Sequence, residues 1–486
     1  MLKASSVFRA VSLYMCVVWV AMNARDAMSY ICSTNRRICR ASIRTKPRTT
    51  IQGCALPGHR VVIIGDGGES VNRKESASAS KWTTVLILFF ITSMVESLVM
   101  SHVFSFLPLY LTELHAADVK QWVGILNGVS FIVGLPLVPL WGVWANRYSG
   151  KAVIVRSAFV EGIVLGVLGL SQGMPMVVLA MALIGFQLGN TGVMLAAIRR
   201  AAPNHRTGYA VSLFSVSSAV GAAVGPLYGG LIIAHTDFNL HDLYVSDAAL
   251  SFFSGLMLLV FYRELRPTVS ASASAPERRR VSRDSAWIAA WKSVRTIFTL
   301  RITWILFGIY TLLMLARQMI NPYVPVAILD ITRQPSTATQ VIGVLMGITA
   351  LIGAGITVVA GRLGDAIGFR RVLAIAFAMS AVFSVGMALS HTLVPFGVML
   401  AGYSAAIGIG GAMVFALLST RVPATHQTTA LNLVYLPLYF GGIVGPVISS
   451  GLSHLGLLTQ FSVAAAIFFC GLVMAAAMGS RVQHNS

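Results

Sequence analysis

Charge is scarce in this sequence: Asp, Glu, Lys and Arg make up 11% of 486 residues, and Asp and Glu together number 16. A water-soluble globular chain carries about 25% charged residues, so the polar surface that a soluble enzyme needs is missing. Cysteine is scarce too. Cys16, Cys32, Cys39, Cys54 and Cys470 offer no pair at the spacing of a zinc site. Four of them lie in an N-terminal stretch expected in a reducing compartment, and all read as free thiols. No nucleophile–base grouping, metal cluster or Walker sequence is present, which removes support for ATP-driven transport and leaves no catalytic residue or metal ligand to assign. Val61-Val-Ile-Ile-Gly65-Asp-Gly67-Gly68 imitates a phosphate loop but does not complete Gly-x-Gly-x-x-Gly.

What the chain has is apolar length. Hydrophobic residues make up 56% of it and the mean hydropathy is +0.77. About 20 apolar residues cross a bilayer core as helix, and runs of that kind recur at 83–107, 122–144, 152–171, 174–198, 208–234 and 246–262, then at 302–328, 339–361, 372–390, 393–419, 428–452 and 459–479. The expected fold is an all-α membrane protein of twelve transmembrane helices. Its parts are a basic extension (1–82), a six-helix bundle (83–262), a linker (263–301), a second six-helix bundle (302–479) and a tail (480–486).

The net charge of +20 does not point to nucleic acid, because position matters more than total. Of 36 Lys and Arg, 13 lie in residues 1–82 and nearly all the rest in short loops. With the N-terminus inside, the inner segments hold 33 of them; the outer loops hold only Lys120 and Arg333. By the positive-inside rule both termini are cytoplasmic. The linker, with Ser270-Ala-Ser-Ala-Ser-Ala-Pro276 and Arg278-Arg279-Arg280, reads as a solvated connector.

The two halves repeat each other. Gly361-Arg-Leu-Gly-Asp365-Ala-Ile-Gly368-Phe-Arg370-Arg371 follows the eighth span, and Gly142-Val-Trp-Ala-Asn146-Arg147-Tyr-Ser-Gly150-Lys151 follows the second, 219 residues earlier. Gly225-Pro226 and Gly445-Pro446, like Pro203 and Pro423, are 220 apart. Three landmarks at one offset indicate a duplicated six-helix unit.

On these residues the sequence resembles the major facilitator superfamily, in its twelve-helix drug/proton antiporter branch, over residues 83–479. Gly361, Asp365, Gly368, Arg370 and Arg371 match the loop signature. The first-half copy has Asn146 for the acid and Ser149 for a glycine. A carboxylate at a helix end near cations makes charge-assisted hydrogen bonds, so this loop is the expected gate, with a weaker first-half latch at Asn146 and Arg147. Gly221, Gly225, Pro226, Gly229 and Gly230 resemble the fifth-helix pattern of exporters that exchange substrate for protons. Many such antiporters carry an arginine in the fourth helix; here that register falls on Gly185, ahead of Gly189.

Ionisable residues within a span are costly and are default functional candidates. Glu96, Arg317 and His102 are the proton-coupling candidates. Ser93, Glu96, Ser97, Met100 and Phe104 share one helical face, a polar stripe expected to meet a wet cavity. Arg317, in the pseudo-symmetric seventh span, has two open roles: pairing with Glu96 or holding an anionic substrate. Glu161 is expected to be a structural carboxyl at the periphery. Gln187, Asn190, Tyr310, Asn321, Asn432, Tyr435 and Tyr439 are candidates to line the substrate path.

Residues 1–82 lie outside the resemblance. A signal peptide, an organellar presequence and a start placed too far upstream are the readings considered, with disorder or misannotation favoured over function. The resemblance implies a secondary active transporter working by alternating access as a monomer in the bacterial inner membrane. Its expected partners are the bilayer, protons and a small molecule, with no cofactor and the proton gradient as energy source. The favoured activity is efflux of an amphiphilic or cationic drug-like molecule. The alternative is a proton symporter importing a sugar or other metabolite. A ligand-sensing receptor finds no signalling domain in the linker.

Overall fold

The computed structural model describes residues 67–203, 206–264, 301–421 and 435–477, with side chains from Trp82 onward except at scattered positions. The chain divides into two units, residues 1–84 and 85–486. In the first, only the opening turns of the helix that begins at Gly67 are described; the second is the subject below.

Without water in a bilayer core, a backbone must satisfy its own hydrogen bonds, so apolar runs of this length become helices. The helices are α1 (Gly67–Glu113), α2 (Val119–Arg147), α3 (Gly150–Gly169), α4 (Met174–Gln187), α5 (Asn190–Ala201), α6 (Thr207–His235) and α7 (Leu240–Phe261). The second half supplies α8 (Arg301–Ile320), α9 (Val324–Thr332), α10 (Pro335–Ile367), α11 (Phe369–Ala388), α12 (Leu393–Arg421), α13 (Tyr435–Gly451) and α14 (Leu457–Ala477). Among the described residues there is no strand. Hydroxyls inside the spans are spent locally, as when Thr92 donates to the Leu88 carbonyl at 2.9 Å and Ser380 to that of Ala376 at 2.8 Å. An Asn239–Asp242 capping box starts α7, and Gly368, at φ +95°, turns α10 directly into α11.

Among the described residues ten segments are long and apolar enough to cross a membrane. The expected second span lies in α2, which is not among the ten. The eleventh lies in the shorter apolar helix Leu436–Gly451, preceded by residues 422–434 outside the described set. Two expected continuous spans are broken. The fourth interrupts between α4 and α5 at Leu188 and Gly189, the latter at φ +99°. The seventh passes through a 3-10 turn, Asn321–Tyr323, between α8 and α9, where Pro322 and Pro325 deny backbone donors.

The halves meet where α6 packs on α10 and α2 on α13. Those contacts lie toward the end opposite the arginines at 199–200, 362 and 370–371; we call the arginine-bearing end basic and the other far. At the far end a Cβ on Gly230 would stand 3.0 Å from the Gly343 Cα, and one on Gly124 would stand 2.6 Å from the Tyr323 hydroxyl and 2.7 Å from the Pro446 carbonyl. Lys120 also pairs with Asp330 at 2.7 Å, and Ser450 donates to the Gln121 carbonyl at 3.0 Å.

Candidate functional site

The polar stripe of α1 faces a cavity of about 230 Å³. Ser93, Glu96, Ser97, Met100 and Phe104 line it, together with Ser130 and Phe131 of α2, Ile184 and Gln187 of α4, and Ser218 of α6. Tyr439 of α13 meets Phe131 edge-on at 5.9 Å between centroids. The surface is thus one carboxyl, several hydroxyls and a wall of aromatic and thioether groups.

Glu96 is half-buried and is held by neutral amides. The Asn190 side-chain amide donates to both carboxyl oxygens at 2.8 Å, and that of Gln187 to Oε1 at 3.1 Å. Both donors exist at this level because the fourth span breaks there: Gln187 ends α4 and Asn190 begins α5. A broken transmembrane helix brings two half-helix ends to the midplane, one electronegative and one electropositive. Arg156 of α3 caps the electronegative end, donating to the Phe186 carbonyl and, at 3.4 Å, to those of Gln187 and Leu188, with its guanidinium 3.6 Å from the centroid of Trp141. Arg156 lies inside α3, within electrostatic reach of Glu96. A guanidinium therefore reaches the fourth-span break from the neighbouring helix. An arginine almost two turns into a span was the signal that would have found it.

Glu161 is not peripheral. Its residue is 1% exposed, Oε1 accepts from the Gln187 amide at 2.9 Å and Oε2 from the Ser251 hydroxyl at 3.1 Å. The single nitrogen of Gln187 thus bridges two carboxyls.

His102 lies further toward the far end, fully buried. Its Nδ1 is 2.6 Å from Asp247 Oδ2, and its Nε2 is 2.7 Å from the Gly225 carbonyl. A carbonyl only accepts, so Nε2 carries a hydrogen, and one further proton is shared between Nδ1 and the carboxylate. Asp247 escaped the sequence reading because it falls at the expected edge of the sixth span. The glycines of the exporter-like pattern make room for these groups: a Cβ on Gly221 would collide with the Met94 carbonyl, one on Gly225 with Ser101, and one on Gly229 would stand 2.9 Å from the His102 ring. These three glycines, four residues apart, form one seam of α6 against α1.

The other candidates are dispersed. Arg317 is half-buried and, among the described residues, makes no ion pair; Glu96 is not its partner. Tyr310 is buried edge-on to Phe415 at 6.0 Å. Asn321 opens the 3-10 turn. Asn432 lies outside the described residues, as do the side chains of Tyr435, Asn146 and Arg147.

In the gating loop Asp365, Gly368 and Arg371 are exposed, Gly361 and Arg370 half-buried, and Asp365 makes no ion pair among the described residues. In the first-half copy Ser149 is the N-cap of α3, accepting from the Ala152 amide at 3.1 Å, and it donates to Glu264 at 2.8 Å. The other Glu264 oxygen accepts from the Gly150 amide at 2.8 Å. A carboxylate on a helix N-terminus thus comes from residue 264 where Asn146 offers no charge. Burial beside this carboxylate pushes the Tyr262 hydroxyl up to about 12.

Comparison with known proteins follows the same lines. The multidrug resistance protein MdtG of Enterobacter lignolyticus (strain SCF1) is 27% identical over 382 residues, covering 76% of this chain and 86% of its own. Among solved structures, the nucleoside transporter NupG matches with a TM-score of 0.65 at 15% identity, over 81% of this chain and 98% of that one. A bacterial homologue of the human lysosomal transporter Spinster, in an inward-facing and unoccupied conformation, matches with a TM-score of 0.63 at 14% identity, over 82% and 95%. The family profile of the Major Facilitator Superfamily matches residues 85–326 and 306–485. The chain belongs to the major facilitator superfamily.

Proposed function

We propose that this protein is a proton-coupled exporter of lipophilic cations, working by alternating access as a single chain of twelve spans in the bacterial inner membrane. The observation that carries this reading is Glu96: a carboxyl on the wall of an aromatic and thioether-lined cavity, held by two neutral amides and, among the described residues, by no ion pair. A cation entering the cavity supplies the missing positive charge, and a proton supplies the alternative, so the two compete for one group. Phe104, Phe131 and Met100 offer dispersion and cation–π contact to a bulky apolar cation. The similarity to MdtG, named as a multidrug resistance protein, supports the direction of transport.

The placement of Lys and Arg puts the basic end, and with it both termini, in the cytoplasm. On that assignment the packed far end faces outward and the cavity is poised to load from inside. The gating loop, with Asp365 disengaged, then closes in the opposite state. No cofactor takes part. One proton in for one monovalent cation out moves no net charge, so the membrane potential cancels and the pH gradient drives the exchange, at about 1.4 kcal/mol and a tenfold cation gradient per pH unit.

The test is a fluorescent cationic dye followed in an efflux-deficient bacterium expressing the full chain. Dye loss is expected to depend on the gene and to stop with protonophore, and Glu96→Gln is expected to reduce it to the vector level at unchanged membrane abundance. Transport unchanged in Glu96→Gln would remove the carboxyl from the mechanism. Uptake of a sugar or other metabolite that collapses with protonophore would instead establish the symporter.

A further inference from the structure

The exchange reading uses Glu96 and leaves Glu161 without a task, yet the geometry couples them. Glu161 is buried from solvent, and its hydrogen-bond donors are the neutral Gln187 amide and Ser251 hydroxyl. An ionised carboxylate with no cation beside it is expensive at such a site. The charged groups facing the pair are Arg156 on α3, turned to the carbonyls ending α4, and Asp247 on α7, already paired with His102 of α1. Both carboxyls line a void of about 10 Å³, with Thr92, Asn190 and Ser254 as its other polar residues and apolar side chains of α3, α5 and α7 closing the rest. That is the room of one water, with the two carboxyls and these polar groups as its partners.

We propose that Glu161 is a second proton-binding carboxyl that titrates as one unit with Glu96 through a single water in this void. The inference rests on the cation-exchange reading. With the cavity empty, both carboxyls are protonated and the pair is neutral. When a cation docks, the Glu96 O–H bond breaks and its proton leaves to the cavity water. The Glu96 carboxylate then faces the cation, and the Glu161 carboxylic acid donates through the void water to the other side of that carboxylate. One proton is released per cation bound, and the retained proton stabilises the single negative charge. Gln187 is the positioning residue, its two N–H bonds fixing the separation of the carboxyls.

The experiment uses the purified full chain in detergent, with tetraphenylphosphonium as the probe cation. Proton release on binding is read in weakly buffered solution across pH, and carboxylic-acid C=O bands are read by infrared difference spectroscopy. The wild type is expected to release about one proton per cation and to keep one carboxylic-acid band in the bound state. Glu161→Gln should remove that band and move the midpoint of proton release up by about one pH unit, a tenfold loss of proton dissociation, because the charge-assisted hydrogen bond to the Glu96 carboxylate is weakened. Ser251→Ala, which removes one donor to Glu161 and leaves Glu96 untouched, should shift the same band to higher frequency. A band that survives Glu161→Gln, or a release curve superimposed on the wild type, overturns the assignment. Should Glu161→Gln fail to fold, an unmoved band in Ser251→Ala overturns it alone. Cation binding without proton release would instead refute the exchange reading, and the band would still report on Glu161.

Discussion

The same three helices treat their glycines differently at their two ends. At the far end Gly124 of α2, Gly230 of α6 and Gly343 of α10 are pressed against the opposite half, where a Cβ on Gly343 would run into the Pro226 carbonyl. At the basic end Gly142, Gly208, Gly355 and Gly361 of those helices have nothing, among the described residues, within 4 Å of where a Cβ would sit. Polar chemistry is distributed in the same unequal way. The far end holds a buried His102–Asp247 pair, while at the basic end Glu264 caps the start of α3. A glycine that touches nothing has no packing reason in this conformation. On the proposed alternating access, such a glycine has its contact in the other state, in which the basic end closes and the far end opens.

Asp247 gives the hardest test of that contrast. Removing one partner of a buried ion pair leaves an uncompensated charge and costs about 3–5 kcal/mol, so Asp247→Ala is expected to produce the largest loss of stability in mixed-micelle denaturation. Glu264→Ala at the other end removes a helix cap worth about 1 kcal/mol. Equal losses from the two would mean that the far end is not the stiffer one.

The glycines sharpen the comparison because they separate stability from turnover. Gly343→Val forces side-chain volume into a backbone contact and is expected to cost about 1–3 kcal/mol, lowering the melting temperature. Gly361→Val meets open space and should leave melting unchanged, yet it is expected to abolish dye efflux if that glycine is pressed against the other half in the alternate state. Normal efflux in Gly361→Val would remove that glycine from any closing contact at the basic end.

Much of the architecture was legible in the sequence because membrane helices obey few rules. Among the described residues apolar length placed ten of the twelve expected spans, and three- and four-residue spacing put Ser93, Glu96, Ser97, Met100 and Phe104 on one face, which is the face that lines the cavity. Illegible were the features set by contact between helices. The break at Gly189 does not show in its apolar run, because the carbonyls it exposes are satisfied from another helix, by the Arg156 guanidinium and the Ser157 hydroxyl of α3. Glu161 reads as peripheral until Gln187 is seen bridging it to Glu96, and Asp247 is invisible until His102 reaches it. The reverse error occurred with Arg317: pseudo-symmetry suggests a partner for Glu96, but symmetry of sequence position does not fix distance in a conformation packed at one end only.

The smallest expected effect belongs to the Lys120–Asp330 pair, which joins the halves at the far end with both side chains 43–44% exposed. An exposed pair contributes about 0–1 kcal/mol and is screened by salt, so Lys120→Ala should shift the conformational balance toward the state open at the far end by less than about fivefold. Accessibility of a cysteine placed at Gly230 to a membrane-impermeant thiol reagent would not serve, since that glycine tolerates no side chain. A cysteine at Gln121, whose residue is exposed beside the pair, reports the same opening in a background free of other cysteines. Its labelling rate is expected to rise modestly in Lys120→Ala at low salt and to match the unsubstituted pair at high salt. A rise that persists at high salt would mean that Lys120 holds the far end by packing its aliphatic stem rather than by its charge.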